Sequence, residues 1–90
     1  MRNELEAIIK DTFRVLALKT RAAHDLTQEQ MAEALAMVPR SYTDIESGVH
    51  MCGTLTAILL LIEQPDPLSV LEDLKKKFKD LYDSEEKTAS

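Results

Sequence analysis

A chain of 90 residues with 44% hydrophobic and 30% charged side chains has the composition of one globular domain and is too short for a second core. Two glycines and three prolines are too few for the frequent turns of an all-β fold, so helix is expected; the single cysteine, Cys52, excludes an internal disulfide framework and fits a reducing, cytoplasmic compartment. The formal charge of −5 works against a nucleic-acid partner, because phosphate neutralisation supplies most sequence-independent affinity for DNA.

The opening residues Met1-Arg2-Asn3-Glu4-Leu5-Glu6 carry acids and no apolar run, so no secretory signal is expected. Glycine and proline are absent from Glu4 to Ala23. Within that stretch Leu5, Ile9, Phe13, Leu16, Ala17 and Thr20 fall at helical spacing, with His24 at the end of the stripe, which predicts a first helix. The next start signal is complete: Thr27 is a cap, Gln30 three residues on can reach back to close a capping box, and Leu26 and Met31 flank the pair as a hydrophobic staple. A second helix is predicted from there to about Leu35, with Met31, Ala32 and Leu35 on its buried side.

A third helix is placed from Pro39 to Ser47, since proline at the first helical position wastes no hydrogen bond and Gly48 just past the end suits a left-handed terminator. Met37 and Tyr42 would form its staple, and a start at Ser41 with Asp44 as the box acid is the alternative. A fourth helix, Thr54 to Glu63, is apolar nearly all round, so a second face needs a cover. Its longest apolar run, Ala57 to Ile62, is six residues, against about 20 needed to span a bilayer. Asp66 and Pro67 begin a fifth helix to residue 82, in which Leu71, Leu74, Phe78 and Leu81 recur at three-four-three spacing. The lysines Lys75, Lys76, Lys77 and Lys79 on its flanks read first as a solvated face, and second as a contact for phosphate or an acidic partner. Residues 83–90 are small and polar and are expected to form a flexible tail. The predicted architecture is all-α: one domain, residues 1–82, with a core at 13–62 and an additional helix at 67–82.

The segment Leu26-Thr27-Gln28-Glu29-Gln30-Met31-Ala32-Glu33-Ala34-Leu35, followed by Tyr42-Thr43-Asp44-Ile45-Glu46-Ser47-Gly48, resembles the phage-repressor and Cro type of helix-turn-helix, the xenobiotic-response-element family. The resemblance spans about Phe13 to Ile62. It implies a five-helix bundle of lambda-repressor-like architecture, with Ala32 at the crossing of helices two and three and Ile45 docked into the core. It also implies a pair between Arg21 and Glu46, which a buried or an ordinary solvated geometry would satisfy. The chain departs from the family in the turn, where Ala36 stands for the usual glycine, and at the third helix's cap, where Val38 stands for serine or threonine. An alanine held at positive φ costs on the order of 1 kcal/mol, and a missing cap about as much again.

By that resemblance the function is a sequence-specific DNA-binding transcriptional regulator, a repressor by family analogy, with the third helix in the major groove. The base-reading positions fall on Pro39, Arg40, Thr43 and Asp44, with Ser41 beside the sugar-phosphate edge and Gln28 on a phosphate. Double-stranded DNA with a near-palindromic operator is the implied partner. Between Asp11 and Gly53 there are four cations against six carboxylates, a net charge of −2, so affinity would depend on a homodimer. Leu60, Leu61, Leu74, Phe78 and Leu81 are the expected dimer contacts. The alternative is a protein-interaction module of the same fold acting through helices four and five. No cofactor, metal site or enzymatic activity is expected: His50 and Cys52 lack two further ligands nearby, and no phosphate loop or nucleophile elbow occurs.

Overall fold

The computed structural model describes residues 1–89, with side chains as far as Ser84. Five helices follow in order: α1 (Arg2–Ala23), α2 (Gln28–Ala34), α3 (Pro39–Glu46), α4 (Thr54–Ile62) and α5 (Pro67–Ala89). The capping box forms as its residues dictate: Thr27 Oγ1 accepts from the Gln30 backbone N–H at 3.1 Å, and Gln30 Oε1 accepts from the Thr27 N–H at 2.9 Å. α3 begins at Pro39 rather than at the alternative Ser41, and its cap, Val38, makes no side-chain bond.

α1 buries Thr12, Phe13, Leu16, Ala17 and Thr20, a stripe at three-four spacing. His24 does not continue it. The helix stops at Ala23, and His24 is its exposed cap, 3.5 Å from Glu63. Against this stripe pack Met31, Ala32 and Leu35 from α2 and its end, Tyr42 and Ile45 from α3, and Leu60 from α4. α3 lies against both α1 and α2, so the shortest helices are held by the longest buried face. At the far end Gln64 donates to Thr20 Oγ1 at 2.9 Å and to the Leu60 carbonyl at 2.8 Å, tying the end of α4 to α1.

Three successive helices end in the same way. After α1, Asp25 and Leu26 donate to the carbonyls of Ala22 and Arg21; after α2, Ala36 and Met37 donate to Glu33 and Ala32; after α3, Gly48 and Val49 donate to Ile45 and Asp44. Each is a Schellman end, which needs one residue in the left-handed region, and those residues are Asp25 (φ 52°), Ala36 (φ 57°) and Gly48 (φ 78°). Only the last is a glycine. Aspartate tolerates this region and alanine does not, so the strain expected at Ala36 is present. Ala36→Gly is expected to raise stability by about 1 kcal/mol, and Gly48→Ala to lower it by about as much. A methyl on Gly48 would meet Arg14 Cδ at an ordinary 3.6 Å, so its cost is one of dihedral angle. Urea denaturation of both variants checks the pair; a loss of stability in Ala36→Gly would contradict the assignment of strain.

α5 continues to Ala89, beyond the expected end at residue 82, because nothing from Leu68 to Ala89 breaks a helix and Glu and Lys propagate it well. Residues 83–89 are therefore helical rather than an irregular tail; Ser90 lies outside the described residues. At about 1.5 Å per residue α5 is about 34 Å long, which accounts for a long axis of 49 Å against 26 and 19 Å across. No helix among the described residues is long and apolar enough to cross a membrane.

Candidate functional site

The sequence places a glutamate four residues after a tyrosine on α3, and that spacing puts both on the face turned toward α1. The Glu46 side chain is only 6% exposed. An isolated carboxylate so placed would be costly, and three donors from three helices offset the cost. Arg21, at the end of α1, donates through Nε to Oε2 at 2.6 Å and through Nη2 to Oε1 at 3.2 Å, a two-point contact. The Tyr42 hydroxyl donates to Oε2, and Gln28, the first residue of α2, donates its amide to Oε1 at 2.9 Å. Arg21 Nη1 also reaches the Leu26 carbonyl at 3.2 Å, so the same guanidinium fixes the chain entering α2.

Burial pushes the Glu46 carboxyl upward, but hydrogen bonds from Arg21, Tyr42 and Gln28 outweigh it and hold the group below its ordinary value. The bond to Glu46 raises Arg21 in return. Tyr42 is raised by burial and by its carboxylate neighbour, and stays protonated as a donor. At Cys52 burial pushes the thiol up, away from the reactive thiolate.

With Tyr42, Ile45 and Glu46 held inward, the opposite side of α3 faces solvent. Pro39, Arg40, Ser41 and Thr43 are exposed there, and Val38 before them is exposed as well. Thr43 Oγ1 donates to the Pro39 carbonyl at 3.0 Å. Asp44 is partly buried, with one oxygen 3.8 Å from His50 Nε2. Gln28 stands at the start of α2, but one of its amide hydrogens is committed to Glu46, leaving the second for any outside acceptor. The sequence reading missed the roles of Tyr42 and Gln28 in the carboxylate cage; the tyrosine-glutamate spacing was the available signal for the first.

The expected dimer contacts need correction. Leu60 is fully buried within the fold and Leu74 is nearly so, because both lie on the faces of α4 and α5 turned to the core. Neither can meet a second copy directly. Leu61, Phe78 and Leu81 are partly buried. The apolar side chains that α4 presents to solvent are Leu55, Ile58 and Ile62, and among the described residues no element covers that face. In α5 they are Leu68, Leu71 and Tyr82. The lysines Lys75, Lys76, Lys77 and Lys79 are exposed, with Lys77 3.0 Å from Asp73.

Among the described residues no group of three or more His, Cys, Asp and Glu is placed to hold a metal ion. No family model matches the chain, and neither the curated proteins nor the solved structures provide a match.

Proposed function

We propose that α2 and α3 act as a helix-turn-helix, and that the protein is a sequence-specific DNA-binding regulator, a repressor acting in the cytoplasm, that lays α3 in the major groove. The observation that carries this reading is the division of α3 into a locked face and an open leading end. Tyr42, Ile45 and Glu46 anchor one side, while Pro39, Arg40, Ser41 and Thr43 lie exposed on the other. The connection Leu35 to Val38 is short, and Ala32, with no exposed surface, lets the two helices approach. Because Val38 supplies no cap, the first N–H groups of α3 are left to solvent or to an anion.

Arg40 is the one cation among the candidate base-reading residues and is suited to bidentate contact with guanine. Thr43 suits a thymine methyl or a base edge, and the second amide hydrogen of Gln28 suits a phosphate. With so few cations near the phosphates, the expected salt dependence is shallow and monomer binding weak. A two-fold homodimer would present two third helices about 34 Å apart to a near-palindromic operator.

Fluorescence anisotropy with random and selected duplexes at two salt concentrations tests the reading. Saturable binding to selected duplexes at low salt is expected, and its absence for every duplex sinks it. The second reading, a protein-interaction module of the same fold, draws on the uncovered apolar face of α4 at Leu55, Ile58 and Ile62, the last 66% exposed.

A further inference from the structure

The last turns of three helices meet around one cavity. α1 contributes Thr20 and its cap His24, α2 contributes Met31 and Ala34, and α4 contributes Leu59, Ile62 and its cap Glu63. Leu26, just before α2, and Leu35, which caps it, complete an enclosure of about 230 Å³. Thr20, Met31 and Leu35 are buried and form its floor, while Ile62 overhangs the rim at 66% exposure. The Thr20 hydroxyl oxygen already accepts from the Gln64 amide, which leaves His24 and Glu63, each about half exposed, as the polar groups at the mouth.

The charge at that mouth has one sign. A helix C-terminus carries the equivalent of about half a negative charge, and here three of them border one opening. Neither α2 nor α4 has a cation in its last turn, and the one in α1, Arg21, is turned away to Glu46. Schellman bonds occupy some of the terminal carbonyls of α1 and α2 without cancelling the axial dipoles. Glu63 adds a full carboxylate. His24 Nε2 stands 3.5 Å from it, beyond a normal hydrogen bond, so the carboxylate keeps acceptor positions for a guest. Among the described residues no lysine or arginine lines the cavity. An anion is repelled there, and a cation with an apolar body is drawn in. An apolar cavity of about 150 Å³ takes benzene, so this one suits a guest of about nine non-hydrogen atoms.

We propose that this cavity is a binding site for a small organic ammonium, whose single ring or short chain rests on Met31, Leu35 and Leu59 and whose charged head lies on Glu63. A guest of that size is expected to bind with a dissociation constant on the order of 0.1 to 1 mM. The site is distinct from the exposed side of α3, and its test uses no DNA.

Amide-resolved NMR titration of the full chain with 2-phenylethylammonium, which has the required size, is expected to saturate, with the largest shifts at Met31, Leu35, Leu59 and Glu63. The neutral 2-phenylethanol should bind at least about fivefold more weakly, and phenylacetate more weakly still. Glu63→Gln, at an exposed position, should weaken the ammonium at least about fivefold and leave the alcohol unchanged, a difference that damage to the fold cannot produce. Ala34→Met, also at an exposed position, extends a side chain over the mouth and should abolish binding of both with the helical signal retained. No saturation below about 10 mM, equal affinity for the ammonium and the alcohol, an unchanged ammonium affinity in Glu63→Gln, or shifts centred on α5 would overturn the proposal.

Discussion

Glu46→Ala is expected to lower the thermal midpoint by roughly 10 to 20 °C, the loss of about 2 to 3 kcal/mol in a domain of this size. The carboxylate receives Arg21, Tyr42 and Gln28, one from each of the three helices it joins. Its removal leaves the Tyr42 hydroxyl with only the long 3.4 Å contact to the Ala17 carbonyl. Arg21 retains enough exposure to rehydrate, which keeps the expected cost below that of an ion pair sealed from water. Glu46→Gln gives the matching pH test. The folded carboxyl sits below its ordinary value of 4.5, so its contribution is fully present above that pH and is lost as the pH falls through the folded value. Stability measured from pH 7 down to pH 3 should therefore fall less steeply in Glu46→Gln than in the parent. Parallel acid limbs, or a midpoint within a few degrees of the parent for Glu46→Ala, would show that the cage is not a stabilising feature.

Arg40→Ala is expected to cost about 1 to 3 kcal/mol at one base pair of a selected duplex, roughly 5- to 150-fold, while binding to random duplex changes little. The side chain is exposed in the first turn of α3, so the substitution should leave thermal stability within about 0.5 kcal/mol of the parent. A guanine contact fails at one position only. Anisotropy titrations against the selected duplex and its single-base variants separate the two cases: uniform weakening on all of them would make Arg40 a phosphate contact. In that event the salt slope would also fall by about one.

Much of the scaffold was legible because local chemistry and tertiary need agree along the first three helices. Thr27 and Gln30 close their box, Pro39 opens α3, and Gly48 ends it, each as residue type alone requires. Ala36 takes the left-handed turn against its own preference, a conflict the sequence exposes. α4 is where the pattern fails, since Leu55, Ile58, Leu59, Leu60, Leu61 and Ile62 leave no polar face to point away from the core. Periodicity could not say that Leu60 is inside and Ile62 outside; the packing of α4 on α1 settles it. The end of α5 departs from its expected position at residue 82 for another reason. Small polar residues signal fraying by composition, yet without glycine or proline the helix has no local cause to stop. In the carboxylate cage, the pair of Arg21 and Glu46 is implied only by the family resemblance, and the Gln28 bond spans helices with no sequence spacing in common and needs coordinates to be seen.

The bend at Ala36 has a bearing on how firmly α3 is aimed. Glycine would ease the turn but would range over a broad area of positive φ, whereas alanine, held there by the Schellman bonds, has only the small left-handed basin. With no capping hydroxyl on Val38 to steer the next residues, the direction in which Pro39 and Arg40 project is governed by that steric confinement behind them and by the anchored glutamate ahead. Relaxing the corner therefore trades directional rigidity for thermal robustness.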